Sequence, residues 1–328
     1  MKNTVLVIFL LVWLFPACSP LITPKTSLTP ITVQLRWTHQ AQFAGMYAAD
    51  LQGYFAEQGL AVTFLEGMPT TDFIGVVLDD KAQFGITNAD SLIIARSQGK
   101  PVTAIATIYQ RSPSVFITLA NSGITRPQDF IGKTIEIGVA GVPRLRAMMS
   151  FLGISPDQYE VVYSTSDLTA FYSGVVDVRL VNINNEVLAA KAAGNQLNLI
   201  FPDDYGIHFA ADTVFTSDSL IEEQPELVLS FLRAVLKGWR YAIENPDQAG
   251  RLVAHYNPRA DQNLENEKMI ASLPLIIYRE EPLGWMNAEI WAGMEKTLRE
   301  QGQLSIQMDI SKIYDIQFLK EVYTPDKK

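Results

Sequence analysis

"ITVQLRWTHQAQFAGMYAADLQGYFAEQGLAVTFLEG", from Ile31 to Gly67, holds a strand, a helix and a second strand in one run. "ITVQLRW" alternates apolar and polar side chains, the two-residue period of a half-buried strand. "FAGMYAADLQGYFAEQGL" spaces Phe43, Met46, Tyr47, Leu51 and Phe55 along one helical face. Gly59 closes that helix where a glycine commonly does, and "AVTFLEG" is the next strand. A buried strand usually hands over to a turn of Gly, Pro or Asp. This one hands over to Trp37, His39, Gln40, Gln42 and Phe43, side chains that a plain connection does not require.

The rhythm continues. "TTDFIGVVLDD" reads as a short helix capped by Thr71 or Asp72. "AQFGITN" is a strand, "ADSLIIARSQGK" a helix and "PVTAIATIYQ" a strand. From "VFITLANSG" to "QLNLIFP" a second series of strands and helices follows on a similar scale. After "YGIHFAADTVFTSDSLI" the chain turns mainly helical. Alternating β and α segments specify helix-covered, mostly parallel sheets, and two such series specify two lobes. Ligands of open parallel sheets bind beyond the carboxyl ends of the strands. The residues there are Trp37 to Phe43, Asn88, Tyr109 and Gln110, then Gly138 to Arg144, Asn182 to Glu186 and Asp203 to Tyr205. Amides and aromatics dominate that set. It suits a flat, largely uncharged heterocycle, stacked on aromatics and read at its edges by amides.

Composition narrows the classes. The 328 residues are 48% hydrophobic and 19% charged, with a formal charge of −9. An acidic chain lacks the basic face that nucleic acid requires. Catalytic and metal motifs are missing. "IGKT" has Pro127 where a phosphate loop needs its first glycine, and "GVAG" lacks the third glycine of a dinucleotide fingerprint. His39, His208 and His255 lie far apart, with no pair spaced for zinc. No metal, cofactor or catalytic residue is expected.

The amino terminus is a separate matter. One Lys precedes an apolar run from Val5 to Phe15, shorter than the roughly 20 residues that span a bilayer. It reads as a signal peptide. Cys18, the single cysteine, follows "FPA" at the end of that run and is read as the site of lipidation; the alternatives are an uncleaved anchor or an ordinary signal with an incidental cysteine. Removal of residues 1–17 takes Lys2 away and moves the charge from −9 to −10. Residues 18–30 then form a Pro- and hydroxyl-rich tether.

Five stretches stand in order: "LRWTHQAQFAGMYAADLQGYFAEQGLAVTFLEG", "FGITNADSLIIARSQGKPV", "GITRPQDFIGKTIEIG", "YGIHFAADTVFTS" and "PELVLSFLRAVLKGWRYAIENPDQA". Together, over residues 31 to about 320, they resemble the solute-binding proteins of ABC importers in the thiamine-pyrimidine-precursor and riboflavin-binding family. The resemblance implies a type II periplasmic-binding-protein fold, two α/β lobes around a cleft joined by two crossover strands. The lobes are expected at 31–115 plus 210–328 and at 116–209, with crossovers near 115–120 and 209–215. It also implies a monomer that docks on ABC permease subunits and is held at the outer face of a membrane by the lipid on Cys18. An enzyme branch of the family carries a cysteine-rich iron-binding motif, which Cys18 alone does not supply.

The first loop, "WTHQAQFAGMY", keeps Trp37 and Tyr47 but has Gln42, Phe43 and Ala44 where pyrimidine binders have a His-Thr pair. It is more similar to the riboflavin-binding branch. Riboflavin or a close flavin is the expected ligand, with a thiamine pyrimidine precursor, or an anion such as nitrate, taurine or an alkanesulfonate, as alternatives. For an anion, Arg36, Arg144 and Arg146 are the candidates near strand ends. Trp37 is expected to stack on the ring, or else to be a core tryptophan. Gln40 and Gln42 line a ring edge or face solvent. Phe43 is a pocket wall or the first core residue of its helix. Asn88 caps its helix, points into the cleft, or both. Tyr109 and Gln110 end a strand at the cleft mouth. Asn185 belongs to the same set. Glu186 accepts from a ring N–H or complements a helix terminus. Tyr205 stacks from below or packs at the hinge.

Overall fold

The computed structural model describes residues 27–68, 70–138, 141–163, 168–278 and 280–324. The signal segment, Cys18 and the tether as far as residue 26 lie outside the described residues. The strand that opens the fold starts at Thr29, inside the stretch read as tether, because Thr29–Gln34 pairs in parallel with Leu60–Leu65 along its whole length.

Strands β1 (Thr29–Gln34), β2 (Leu60–Leu65), β3 (Phe84–Asn88) and β4 (Val102–Thr107) share one sheet. Strands β5 (Ser114–Leu119), β6 (Thr134–Ile137), β7 (Glu160–Tyr163), β8 (Val178–Asn182) and β9 (Leu197–Ile200) form the other, and β10 (Asp212–Ser217) returns to the first. The orders are β2-β1-β3-β10-β4 and β7-β6-β8-β5-β9. Both sheets are mixed. In the first, β10 runs antiparallel between β3 and β4. In the second, β5 runs antiparallel between β8 and β9. The residues at 115–120 and 209–215 are largely strand residues of a single sheet. The chain changes sheet just before β5, over 108–113, and before β10, over 201–211.

The first lobe carries α1 (Ala44–Leu51), α2 (Tyr54–Glu57), α3 (Phe73–Leu78) and α4 (Ala89–Ser97), and the second carries α5 (Val142–Phe151), α6 (Thr169–Tyr172) and α7 (Glu186–Ala192). Then come α8 (Asp218–Glu223), α9 (Pro225–Glu244), α10 (Ala249–Tyr256), α11 (Gln262–Ile276), α12 (Ala288–Glu300) and α13 (Gln317–Tyr323). The helix read as continuous from Phe43 is broken, because Gly53 adopts φ +77°, a left-handed turn that a helix cannot continue through. Asp72 caps α3 as its sequence suggests, its carboxylate accepting from Gly75 N–H at 2.9 Å.

The core of the first lobe fixes the loop after β1. Helix α1 lies against α9 almost backbone to backbone. A Cβ on Gly238 would stand 2.2 Å from the Gly45 carbonyl oxygen, and one on Gly45 would stand 2.1 Å from the Trp239 ring. Beneath them Phe84 stacks on Phe231 at 3.6 Å. A loop whose far end is clamped in this way holds its side chains in place.

Candidate functional site

From the carboxyl end of β1 onward the chain is tied down through Gln34, Arg36, Gln40 and Gln42. The buried Gln34 amide donates to the Leu35 carbonyl at 2.8 Å and to those of Leu65 and Glu66. Arg36 Nη1 donates to Asp212 Oδ1 at 2.6 Å. Gln42 Nε2 donates to Asp212 Oδ2 at 2.6 Å, and Gln40 Nε2 donates to Gln42 Oε1 at 2.8 Å. The Asp212 side chain is only 4% exposed and satisfies both partners. Below the loop, Glu265 accepts from Ala41 N–H at 2.6 Å and from Lys268 Nζ at 2.7 Å. Trp37, in the middle of this fixed segment, is 42% exposed.

Those residues form one wall of a cavity of about 200 Å³ between the lobes. Arg36, Trp37, Gln40 and Gln42 come from the loop after β1; Tyr109, Asp212 and Lys268 complete the first-lobe wall. Asn182, Asn184, Asn185 and Glu186 form the opposite wall, where β8 passes into α7. Glu186 Oε2 accepts from Asn182 N–H at 2.9 Å, which folds the turn. Asn184 Nδ2 donates to Ser272 Oγ of α11 at 3.0 Å, a bond that joins the two lobes. Tyr109 is 1% exposed. Burial, and then the charge of Asp212, push its pKa up, so it remains a neutral hydroxyl. That hydroxyl makes no hydrogen bond of good geometry. Ser272 lies near it, but its oxygen donates to the Lys268 carbonyl and accepts from Asn184.

A second chamber, of about 520 Å³, continues from the first and shares Arg36 and Asn182 with it. Asn88, Asp90, Arg144, Arg146 and Phe209 are among its lining residues.

Six of the residues read from the sequence thus meet in one cavity: Trp37, Gln40, Gln42, Tyr109, Asn185 and Glu186. Asn88 lines the adjoining chamber; it holds the N-cap position of α4, but its side chain makes no capping bond. Three residues fall elsewhere. Phe43 is fully buried in the first-lobe core, edge-on to Tyr47 at 6.5 Å, because the helical face it begins is the core face. Gln110 turns its amide away from the cleft to the carbonyls of Thr107 at 2.6 Å and Trp285 at 3.0 Å, which need a donor. Tyr205 sits on the 3-10 turn Pro202–Tyr205, half-buried against core residues and on neither chamber wall. Asn184 falls within the run Asn182 to Glu186 read from the strand ends, whereas Asp212 and Lys268 are cavity residues that the sequence reading does not name. A lone acid in the apolar run "FAADTVF" was the available signal for Asp212; Lys268, on a helix of mixed charge, offered none.

Two lobes with mixed sheets, and a polar cleft between them, are the architecture of periplasmic binding proteins. The fold matches the periplasmic aliphatic sulphonate-binding protein SsuA of Escherichia coli with a TM-score of 0.70 at 14% identity, over 88% of this chain and 92% of that one. It also matches the desulfurization enzyme DSZB, with a TM-score of 0.64 at 12% identity over 89% and 98%. At such identities these likenesses concern the fold alone, and a fold hosts several functions. The sequence is more informative. The family described as NMT1/THI5 like matches residues 40–249, and the chain belongs to it. It is 28% identical to the riboflavin-binding protein RibY of Chloroflexus aurantiacus, over 93% of this chain and 91% of that protein. It is 29% identical to the formylaminopyrimidine-binding protein of Halalkalibacterium halodurans, over 89% and 92%. A third relative, 26% identical over 91% and 95%, is the 4-amino-5-hydroxymethyl-2-methylpyrimidine phosphate synthase of Legionella pneumophila.

Proposed function

We propose that the protein is a solute-binding component of an ABC importer that captures riboflavin, or a closely related flavin, between its lobes. The supporting observation is Trp37, a large aromatic left 42% exposed at the edge of an amide-lined inter-lobe cavity. Its face offers a stacking surface for a ring system. Around it, Gln40, Asn184 and Asn185 offer donors and acceptors for a ring edge. Glu186 and Asp212 offer acceptors for a ring N–H. Likeness to RibY supports the same ligand. The protein then performs no chemistry. Ligand touching both walls favours the closed arrangement by its differential affinity for that state, and a membrane permease recognises the closed form. On this reading the chain works outside the cytoplasm as a monomer, held to a membrane through Cys18.

An aminopyrimidine is the second reading. The same two carboxylates would accept from an exocyclic amino group, and the formylaminopyrimidine-binding relative is as similar as RibY. Titration of micromolar protein into riboflavin tests the first reading. Quenching of flavin fluorescence with a matching heat of binding is expected. Absence of both, with heat from the aminopyrimidine, would transfer the assignment to the second ligand.

A further inference from the structure

The second chamber contains a buried guanidinium whose carboxylate partner pairs with it without a hydrogen bond. Arg144, on the first turn of α5, is 9% exposed. Its plane lies over the Phe209 ring, 4.7 Å from the centroid, and its Nη1 donates to Ser114 Oγ at 3.1 Å. Its Nε has no hydrogen-bond partner. Its ion-pair partner, Asp90, stands 3.8 Å from Nη2, beyond hydrogen-bonding distance. Nε is unpartnered but sealed from solvent, so Nη2 is the nitrogen through which this guanidinium can take an oxygen of an oxyanion.

Other charges reinforce the point. Arg36 and Arg146 line the same chamber. Arg36 is committed to Asp212, yet it stands close enough to Arg144 for the two to repel. Burial holds the Arg144 pKa below its ordinary value, Asp90 opposing and Arg36 adding to that effect. Arginine remains charged even so. A buried cation beside a second cation is costly unless an anion joins them. The adjoining chamber, by contrast, pairs Lys268 with Glu265 and keeps Glu186 as an extra acid. The cleft is thus polarised, with a ring-sized amide compartment at one end and a basic compartment at the other.

We infer that the second chamber receives an oxyanion carried by the bound ligand, a phosphate monoester on an arm of the ring, held by Nη2 of Arg144. Phe209 and Ser114 position that guanidinium, and Asp90 competes for it. Combined with the proposed ring, the ligand would be a flavin phosphorylated on its side chain; the identity of the ring rests on the flavin reading, the oxyanion chamber does not.

The test is calorimetry of the full chain with riboflavin, flavin mononucleotide and inorganic phosphate. A charge-assisted pair in a desolvated site corresponds to roughly tenfold or more in affinity. Flavin mononucleotide is expected to bind at least about tenfold tighter than riboflavin on that basis. Arg144→Gln should abolish the preference and leave riboflavin affinity unchanged. Asp90→Asn should tighten flavin mononucleotide alone, and this variant decides the matter if Arg144→Gln fails to fold. Equal affinity of the two flavins in the wild type, or an equal loss of both in Arg144→Gln, overturns the inference. So does inorganic phosphate binding as tightly as the phosphorylated flavin, since the chamber would then serve a free oxyanion. If neither flavin binds while a phosphorylated aminopyrimidine binds and depends on Arg144, the chamber stands and only the flavin reading falls.

Discussion

Arg36 and Asp212, 176 residues apart in sequence, meet at 2.6 Å and join the exit of the first strand to the entry of the last. Asp212 stands where the chain returns from the second lobe, and its second oxygen holds Gln42. One carboxylate therefore sets both the loop that carries Trp37 and the point at which the lobes connect. Loss of one partner of a largely buried ion pair costs about 3 kcal/mol. Asp212→Asn keeps the shape but leaves Arg36 without its counter-charge. Its melting temperature is expected to fall by roughly 5–10 °C, and ligand affinity is expected to fall with it. A melt and a titration of the same preparation check both. Unchanged melting and binding would mean that the pair is incidental.

Trp37 and Phe43 lie six positions apart on one loop and make opposite contributions. Trp37 is exposed on the cavity; Phe43 is sealed in the core. Trp37→Ala should leave stability within about 1 kcal/mol, as an exposed substitution does. Its ligand affinity should fall about thirtyfold or more, the loss that follows removal of a central aromatic contact. Phe43→Ala should cost about 3–5 kcal/mol of stability through the cavity it leaves. Chemical denaturation and ligand titration of the two variants should show the effects exchanged. Comparable stability loss in Trp37→Ala would remove it from the site.

The contrast between these residues shows what the sequence could and could not express. Alternating β and α periods and the Asp72 cap were legible because they are local. The loop after β1 was legible as a site because its side chains exceed what a turn requires. Sheet order was not local: nothing in "DTVFTS" reveals that β10 enters antiparallel between β3 and β4. Direction within a loop was equally hidden. Tyr109 and Gln110 are adjacent, yet one faces the cavity and the other satisfies two carbonyls behind it. Lys268 lines the cavity with its ammonium held on Glu265, one helical turn earlier, whose other oxygen takes the Ala41 N–H, a contact 224 residues away in sequence.

Acidity should loosen the same loop through His39. Burial lowers the pKa of His39 from its ordinary value of 6.5, with Glu66 pulling in the opposite direction. Tyr47 hydroxyl lies 2.8 Å from Nδ1, the Tyr256 ring stacks at 5.4 Å, and Glu66 stands 4.0 Å from Nε2. A neutral ring can accept the Tyr47 O–H; a protonated ring cannot. Because the folded-state pKa is depressed, the contribution to stability is complete above 6.5 and is lost as pH falls below it toward the folded value. Melting temperatures between pH 7.5 and 5 should fall more steeply for the wild type than for His39→Gln. Parallel curves would exclude His39 as the cause.

Asn184 lines the cavity, and its cross-lobe bond offers a test of closure when the protein is measured without ligand. Its Nδ2 donates to Ser272 Oγ at 3.0 Å, and the two residues belong to different lobes. Ser272 also donates to the Lys268 carbonyl, so its oxygen is held in position to accept. A single neutral hydrogen bond contributes about 1 kcal/mol, which shifts an open–closed equilibrium about fivefold. Asn184→Ala should therefore leave the melting temperature of the ligand-free protein nearly unchanged, since each lobe keeps its own core. Its radius of gyration in small-angle scattering, measured without ligand, should increase toward that of an open form. Saturating ligand should restore the compact value, at a concentration several-fold higher than the wild type needs. An identical ligand-free radius in the two proteins would show that the bond does not hold the lobes together, leaving closure to the ligand alone.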